Sequence, residues 1–417
     1  MQIIVSTCNF YLLPFNLKHM RPIKLHEDTF LLAVNDRRTH LFENYWPIPN
    51  GVAYNSYLIL DNKTALIDTV EYGHSAEYID NITSLLKGKP LDYLIINHME
   101  PDHSGSIKII MDLYPNCTLV GNKRTFPLID GYFNIEIKNK QVVEEGDTIE
   151  LGKHKLSFYM IPMVHWPETM VTYDSTNKVL FSADAFGSFG THDGGVFDDE
   201  INIAFFEDEL RRYYSNIVGK YGQQVQKALS KLSGLKIDML AATHGPIWRK
   251  DLNYILNKYD LWSKYQAEEK GAVIVFGSMY GNTEIMADTI ARELSVNGVK
   301  NIRVYDSSKT HKSYIISDIW KYNGLVLGSC AYNAGIFTPM GDLINSLDAI
   351  GIKNRHVALF GSSSWGGGGL RVLEKWAENM KFDTVGPKPE VRCSPKQNDI
   401  ELCSQIGREM AKVILER

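Results

Sequence analysis

Between residue 20 and about 260, short apolar runs alternate with polar, turn-rich segments: 57–60, 65–67, 91–96, 117–120, 156–161, 171–173, 179–182 and 239–242. Runs this short, bounded by turn signals, predict buried strands. The opening MRPIKLHEDTFLLAV is patterned as one more. Longer stretches at 74–87 and roughly 206–232 space their apolar positions three and four apart and predict helices. Many short strands mixed with helices predict an α/β sandwich rather than one wound sheet. From 271 the pattern changes. Buried strands at 272–276, 302–305, 324–327, 357–360 and 391–392 alternate with helical stretches at 283–297, 340–349, 370–379 and 399–416. That alternation predicts a doubly wound parallel sheet. The polar stretch KYQAEEKG at 264–271 reads as the connection, giving expected domains at 20–263 and 271–417.

Length agrees, since 417 residues divided by about 150 per domain gives two to three domains. A net charge of −5 from 44 basic and 49 acidic residues offers no global attraction to nucleic acid or to anionic membranes. Five cysteines, none in a C-x-x-C pair, argue against a disulfide scaffold, a zinc ribbon or a fused rubredoxin. A reducing cytoplasm is the expected location. There is no run of about 18 apolar residues that would span a membrane. The apolar segment 3–17 lacks a basic lead-in and a small-residue cleavage site, so 1–19 is expected to be an appendage, with Met20 as the alternative start.

The densest chemistry lies in His98-Met99-Glu100-Pro101-Asp102-His103, directly after the apolar run LDYLIIN. Three later segments repeat the arrangement: His165 follows LSFYMIPMV, Asp184 follows VLFSA, and His244 follows DMLAAT. Ligand types placed just beyond strands gather at one edge of a sandwich. A single His or Asp after a strand is most often a turn or cap residue. Two imidazoles and two carboxylates within six residues, however, repel or desolvate one another without a cation. Four His and three carboxylates exceed one four-coordinate zinc, suit two metals bridged by a carboxylate, and favour iron or manganese. His192, in THDGG, is a candidate to support the ligands from behind or to line this site, and the remaining histidines are expected to be surface or structural.

The second half carries Ser278, Met279, Tyr280, Gly281, Asn282 and Thr283 between the strand AVIVF and a helix. Hydroxyls, a glycine and free backbone N–H groups at a helix start form an anion site. The loop is neither a nucleoside-triphosphate loop nor a G-x-G-x-x-G turn. Two further loops follow the third and fourth strands, where a ligand at the topological switch point is gripped. They contain Ser329, Cys330, Ala331, Tyr332 and Asn333, and then Ser362, Ser363, Ser364, Trp365 and Gly366.

H-x-E-x-D-H followed by separate His, Asp and His resembles the metallo-β-lactamase-like αββα sandwich. Glu100, where zinc hydrolases of that fold usually have His, is the pattern of the flavodiiron proteins, or A-type flavoproteins. S-M-Y-G-N-T is similar to the phosphate loop of flavodoxins, hence FMN. The later loops resemble flavin-ring loops, departing from the usual pattern at Cys330-Ala331 and Ser363-Ser364. Trp365 is placed by this resemblance beside the flavin ring. Together the two halves extend the resemblance from about Met20 to Arg417.

The resemblance implies two irons, one on His98, Glu100 and His165, the other on Asp102, His103 and His244, with Asp184 bridging. It implies an oxidoreductase reducing dioxygen to water, nitric oxide to nitrous oxide, or both. It further implies a head-to-tail homodimer or dimer of dimers. Electrons come from an external donor, either rubredoxin with its reductase or a reduced deazaflavin. Two other classes compete: a metal-dependent hydrolase with a fused flavodoxin domain, and a flavoprotein electron carrier or sensor with a decayed metal site.

Overall fold

The computed structural model describes residues 20–416, so the expected appendage 1–19 lies outside the described residues. Seven strands form the first sheet, ordered in space Ile23–Lys24, Thr29–Asp36, Val52–Leu60, Thr64–Ile67, Tyr93–Ile95, Thr118–Gly121 and Lys140–Val142. Its first four strands pair antiparallel and the rest parallel. Five strands form the second: Thr148–Glu150, Lys155–Met160, Met170–Asp174, Val179–Phe181 and Met239–Ala241.

Alternation along the strands explains how the sheets stack. Ala65, Ile67, Ile95 and Val120 point inward and share one core with Leu156, Phe158, Val179 and Met239. Leu66, Leu94 and Leu119 point outward, in a core with Tyr78, Ile82 and Leu86 of the helix Ser75–Leu86. The helices Gly222–Leu232 and Leu252–Ser263 belong to that core too, with Leu180 and Leu240 of the second sheet. This is the αββα sandwich expected.

The third sheet is parallel, running Ile302–Asp306, Glu269–Gly277, Tyr322–Tyr332, His356–Ser363 and Glu390–Arg392 in space. Numbered along the chain that order is 2-1-3-4-5, a doubly wound sheet. Helices Asn282–Val296 and Gln397–Leu415 cover one face. Lys312–Lys321, Thr338–Ile350 and Gly369–Asn379 cover the other.

Several elements differ from expectation. The helix expected over 206–232 is broken into Glu207–Tyr213, a wide turn at Tyr214–Val218, a tight one at Gly219–Tyr221, and Gly222–Leu232. A side chain at Gly219 would sit 3.1 Å from the Trp320 ring, so the interruption lets the parallel domain pack against it. Helices Ile107–Leu113, Thr125–Phe133, Leu252–Ser263 and Lys312–Lys321 were not foreseen. The expected connection 264–271 is firmly held, its last residues already forming the strand Glu269–Gly277. Glu268 accepts from Arg211, Lys258 and, at 2.9 Å, the Trp262 indole. The buried Arg355 donates to the carbonyls of Tyr265, Ile319 and Trp320.

Candidate metal centre and flavin loops

The strand Tyr93–Ile95 ends at a loop that Asp68 pins from the neighbouring strand. Its carboxylate accepts from the Asn97 backbone at 2.7 Å and the Asn97 side chain at 3.1 Å. The loop then turns into the short helix Pro101–Ser104, whose proline occupies a first-turn position where no N–H is needed. One tight segment thus presents His98, Glu100, Asp102 and His103. His165 arrives from the loop after Lys155–Met160, Asp184 from the loop after Val179–Phe181, and His244 from the loop after Met239–Ala241.

These seven side chains form two groups. His98, Glu100, His165 and Asp184 converge in one, and Asp102, His103 and His244 in the other, with donor atoms in each within 4.8 Å of one another. Asp184 touches both. Its Oδ2 lies 3.2 Å from His98 Nε2 and 3.1 Å from His165 Nε2, while its Oδ1 lies 2.9 Å from His103 Nε2. Asp102 Oδ2 is 3.2 Å from the Nε2 atoms of both His103 and His244. Those two nitrogens approach to 3.0 Å.

Outer partners fix the ring orientations. His98 Nδ1 donates to Glu168 at 2.8 Å and His244 Nδ1 donates to the Ala53 carbonyl at 2.8 Å. Each Nε2 is thereby left with its lone pair facing inward, as a metal ligand requires. Phe42, Tyr54 and Tyr213 pack around the His244 ring. His192 does not join the cluster. Buried and held neutral, its pKa lowered to about 4 by desolvation, it bonds Asn55 at 2.9 Å. Asn55 in turn holds the Ala242 and Gly245 carbonyls flanking His244.

Electrostatics tests whether metals fit. Burial disfavours the charged form of every group here, yet Asp184 and its fellow carboxylates raise His98 and bring His103 and His165 up to about 9. Burial likewise opposes ionisation of Asp184, but His103 and His98 hold it well below the usual carboxylate range. The donor set therefore demands positive charge at its centre, which protons or cations can supply. Both Asp102 oxygens are buried without a hydrogen-bond partner, an arrangement that costs free energy unless a cation pairs them. The residues present fit two hard cations.

Glu43 escaped notice in the sequence. It stands exposed on the hairpin of Leu41–Phe42 and Trp46–Pro47, with Trp46 Nε1 donating to it at 3.0 Å. Burial of its carboxyl end and contact with Glu100 push it up to about 8. Glu168, Asp68 and Asn55 were also missed. A lone carboxylate or amide 3, 30 or 43 residues from the nearest candidate ligand, as Glu168, Asp68 and Asn55 are, carries no spacing signal, although Glu168 lies close to His165.

In the parallel domain, Gly281 has φ +85° and precedes the helix Asn282–Val296, its N–H donating to Ser278 Oγ at 3.0 Å. A left-handed glycine there folds the loop back so that helix-terminal N–H groups face outward. Asn282 is half-buried and Thr283 buried, its hydroxyl bonded to Ser362 at 2.8 Å. Cys330 is buried, and Ser329 Oγ is used internally, donating to the Cys330 carbonyl and accepting from Phe337 N–H. Half-buried Ala331 and exposed Tyr332 pair with Gly335–Ile336 across a turn in which Asn333 and Ala334 have positive φ. Ser363 is half-buried, and Ser364 and Gly366 are exposed. Met279, Tyr280 and Trp365 project outward, the last two more than four-fifths exposed. The three loops meet at the C-terminal edge of the sheet with an aromatic rim, which suits a flat ring and a phosphate.

Comparison with known proteins agrees on both halves. A family model described as ODP family beta lactamase matches residues 52–245, and one described as flavodoxin matches 274–407. The nitric oxide reductase of Moorella thermoacetica is 32% identical over 369 residues, covering 88% of this chain and 92% of the relative. The chain belongs to the flavodiiron proteins. The anaerobic nitric oxide reductase flavorubredoxin of Escherichia coli O1:K1 is 31% identical, over 87% of this chain and 76% of the relative. Among solved structures, the rubredoxin oxygen:oxidoreductase of Desulfovibrio gigas superposes with a TM-score of 0.90 at 29% identity, over 94% of this chain and 98% of that one. The flavodiiron protein of Giardia intestinalis, 24% identical, shares the fold with the same TM-score, over 95% and 98% of the two chains. This flavodiiron protein is an oxidoreductase.

Proposed function

We propose that this flavodiiron protein reduces dioxygen to water, nitric oxide to nitrous oxide, or both. His98, Glu100 and His165 would hold one iron, Asp102, His103 and His244 the other, with Asp184 bridging. FMN would lie on the three loops of the parallel domain. Two ferrous ions and a reduced flavin hold the four electrons that dioxygen needs, and two electrons suffice to join two nitric oxides into nitrous oxide. The observation that carries this reading is Asp184, each of whose oxygens faces a different donor group. Glu168 and the Ala53 carbonyl orient His98 and His244, Asp68 fixes the loop, and the aromatic wall keeps bulk water from His244. The names of the relatives disfavour the hydrolase alternative.

The domain division at 20–263 and 271–417 belongs to the same reading. Metal and flavin residues lie at the loop edges of different domains, and a head-to-tail homodimer or dimer of dimers would bring one chain's flavin to its partner's irons. The Desulfovibrio relative's name supports rubredoxin, with its reductase, as donor. Among the described residues no helix is long and apolar enough to cross a membrane, and we place the protein in the cytoplasm. The test is metal and flavin content after anaerobic purification, then anaerobic mixing of reduced protein with each gas. About two irons and one FMN per chain, with gas consumed, support the reading. Zinc with no gas consumption overturns it.

A further inference from the structure

The hairpin of Leu41–Phe42 and Trp46–Pro47 is too slight to hold its own place. It pairs only Leu41 with Pro47 and Phe42 with Trp46, and even longer isolated hairpins are marginal in water. Its turn adds strain. The Tyr45 N–H donates to the Phe42 carbonyl at 2.9 Å across Glu43 and Asn44, whose φ values are +51° and +53°. Asparagine tolerates that left-handed region, but glutamate seldom adopts it and keeps it only where its surroundings fix it. Those surroundings lie on both sides of the hairpin.

Inward, the Phe42 ring meets His244 edge-on with centroids 5.5 Å apart, and Glu43 touches Glu100. Each of the two proposed metal groups is thus covered by one hairpin residue. Outward, the hairpin rests on the parallel domain. Lys312 Nζ lies 4.7 Å from the centre of the Tyr45 ring, and His311 packs on Trp46 at 6.2 Å. Arg212 fastens the two sides. Its guanidinium donates to the Pro47 carbonyl at 2.8 Å and to Ser313 Oγ at 3.3 Å. The same group is buried in a stack between Phe189 and Tyr314, 4.5 and 4.6 Å from the ring centres. Phe189 in turn packs on Phe42. A planar guanidinium desolvated between two rings holds them far more firmly than an exposed one would. Glu209, at 2.6 Å, balances its charge.

Resting on the proposed metal centre, we propose that this hairpin is a strap that the parallel domain holds shut over the metal cluster, with Arg212 and Tyr314 as its clasp. Both are positioning residues. Through Pro47 and Phe189 they set where Phe42 and Glu43 stand against His244 and Glu100. The domain proposed to carry the flavin thereby closes the metal centre of its own chain, whichever chain supplies the electrons.

Two measurements on iron- and FMN-loaded protein test the strap. Hydrogen exchange reads the hairpin itself, through the Tyr45 N–H and the Ile48 N–H, which donates to the His40 carbonyl at 3.0 Å. Tyr314→Ala removes one face of the stack and should speed exchange of both about tenfold or more, leaving the strand Val52–Leu60 unchanged. Anaerobic removal of iron by the ferrous chelator bathophenanthroline disulfonate should quicken about threefold or more in the same variant. Its Mössbauer spectrum should shift, while FMN content stays at the wild-type level. Tyr314→Phe keeps the ring and should restore every reading. Arg212→Lys keeps the charge but loses the planar fork that joins Pro47 to Ser313, and should follow Tyr314→Ala. Where Arg212→Lys fails to fold, the half-buried Tyr314 decides alone. Unchanged hairpin exchange in Tyr314→Ala overturns the clasp. Faster exchange with iron release and spectrum unaltered overturns the closure over the metals. A wild type that takes up no iron overturns the metal reading and the closure with it, while hairpin exchange still decides the clasp.

Discussion

Glu168 offers a way to unbalance the two proposed metal positions without touching a proposed ligand. Its Oε1 accepts from His98 Nδ1 at 2.8 Å and from the Met99 backbone N–H at 2.9 Å. Burial opposes its charge, but the His98 contacts hold it below the usual carboxylate range. Glu168→Gln keeps an acceptor and loses the charge, weakening a charge-assisted bond by about 1.4 kcal/mol, a tenfold loss of metal affinity. Glu168→Ala removes both bonds and frees the ring, for about 2.8 kcal/mol or a hundredfold. The loss should fall on the group of His98, Glu100, His165 and Asp184. His103 and His244 take their orientation elsewhere, the latter from the Ala53 carbonyl. Titration of metal-free protein with ferrous iron, followed by calorimetry and Mössbauer spectroscopy, should show one site weakened and the other near wild type. Equal weakening of both sites, or of neither, refutes the argument that orientation of His98 is what Glu168 supplies.

Asp184→Asn should remove the charge shared by both groups, lower iron content and abolish consumption of both gases while FMN stays bound; normal turnover sinks the bridging role. His154 is buried between Asp174 at 2.8 Å and Asp28 at 2.9 Å. Burial alone would lower its pKa, but the two carboxylates raise it to about 9. Because the folded-state value is raised, its contribution is complete below the unfolded value of about 6.5 and disappears as pH rises through 9, with an upper limit of about 3 kcal/mol. The difference in urea midpoint between wild type and His154→Gln should accordingly shrink from pH 6 to pH 10, and a pH-independent difference contradicts this. At Gly328 a Cβ would meet the Phe360 ring at 2.0 Å. Gly328→Ala should therefore cost about 1–3 kcal/mol, seen as a lower thermal midpoint for the parallel domain.

What could be read in the sequence follows from burial. Tyr93–Ile95, Val179–Phe181 and Met239–Ala241 are nearly or fully covered on both faces, so their side chains must be apolar in succession. A polar residue directly after such a run then marks the sheet edge, which is why His98, Asp184 and His244 could be singled out. Their gathering at one edge was expected from the same pattern, but the parallel pairing of Val179–Phe181 with Met239–Ala241, which sets the Asp184 and His244 loops side by side, is not written in it. Two of the unforeseen helices have blurred periodicity for a physical reason. Lys312–Lys321 buries Lys312, Ser313 and Ser317 beside Ile315, Ile316, Ile319 and Trp320, because it is wedged between domains. Leu252–Ser263 buries Tyr259, Trp262 and Ser263 there as well. In the loops proposed for flavin, residue type misled about direction: the hydroxyls of Ser329, Thr283 and Ser362 are spent inside the protein. Backbone N–H groups and exposed aromatics are left to face a ligand. The same division applies at the candidate metal cluster, where apolar runs deliver the proposed ligands and scattered polar residues aim them. Asp68, Asn55 and Glu168 each act on a ligand loop from a distant part of the chain, so the aim is written in pairings that a linear pattern does not carry.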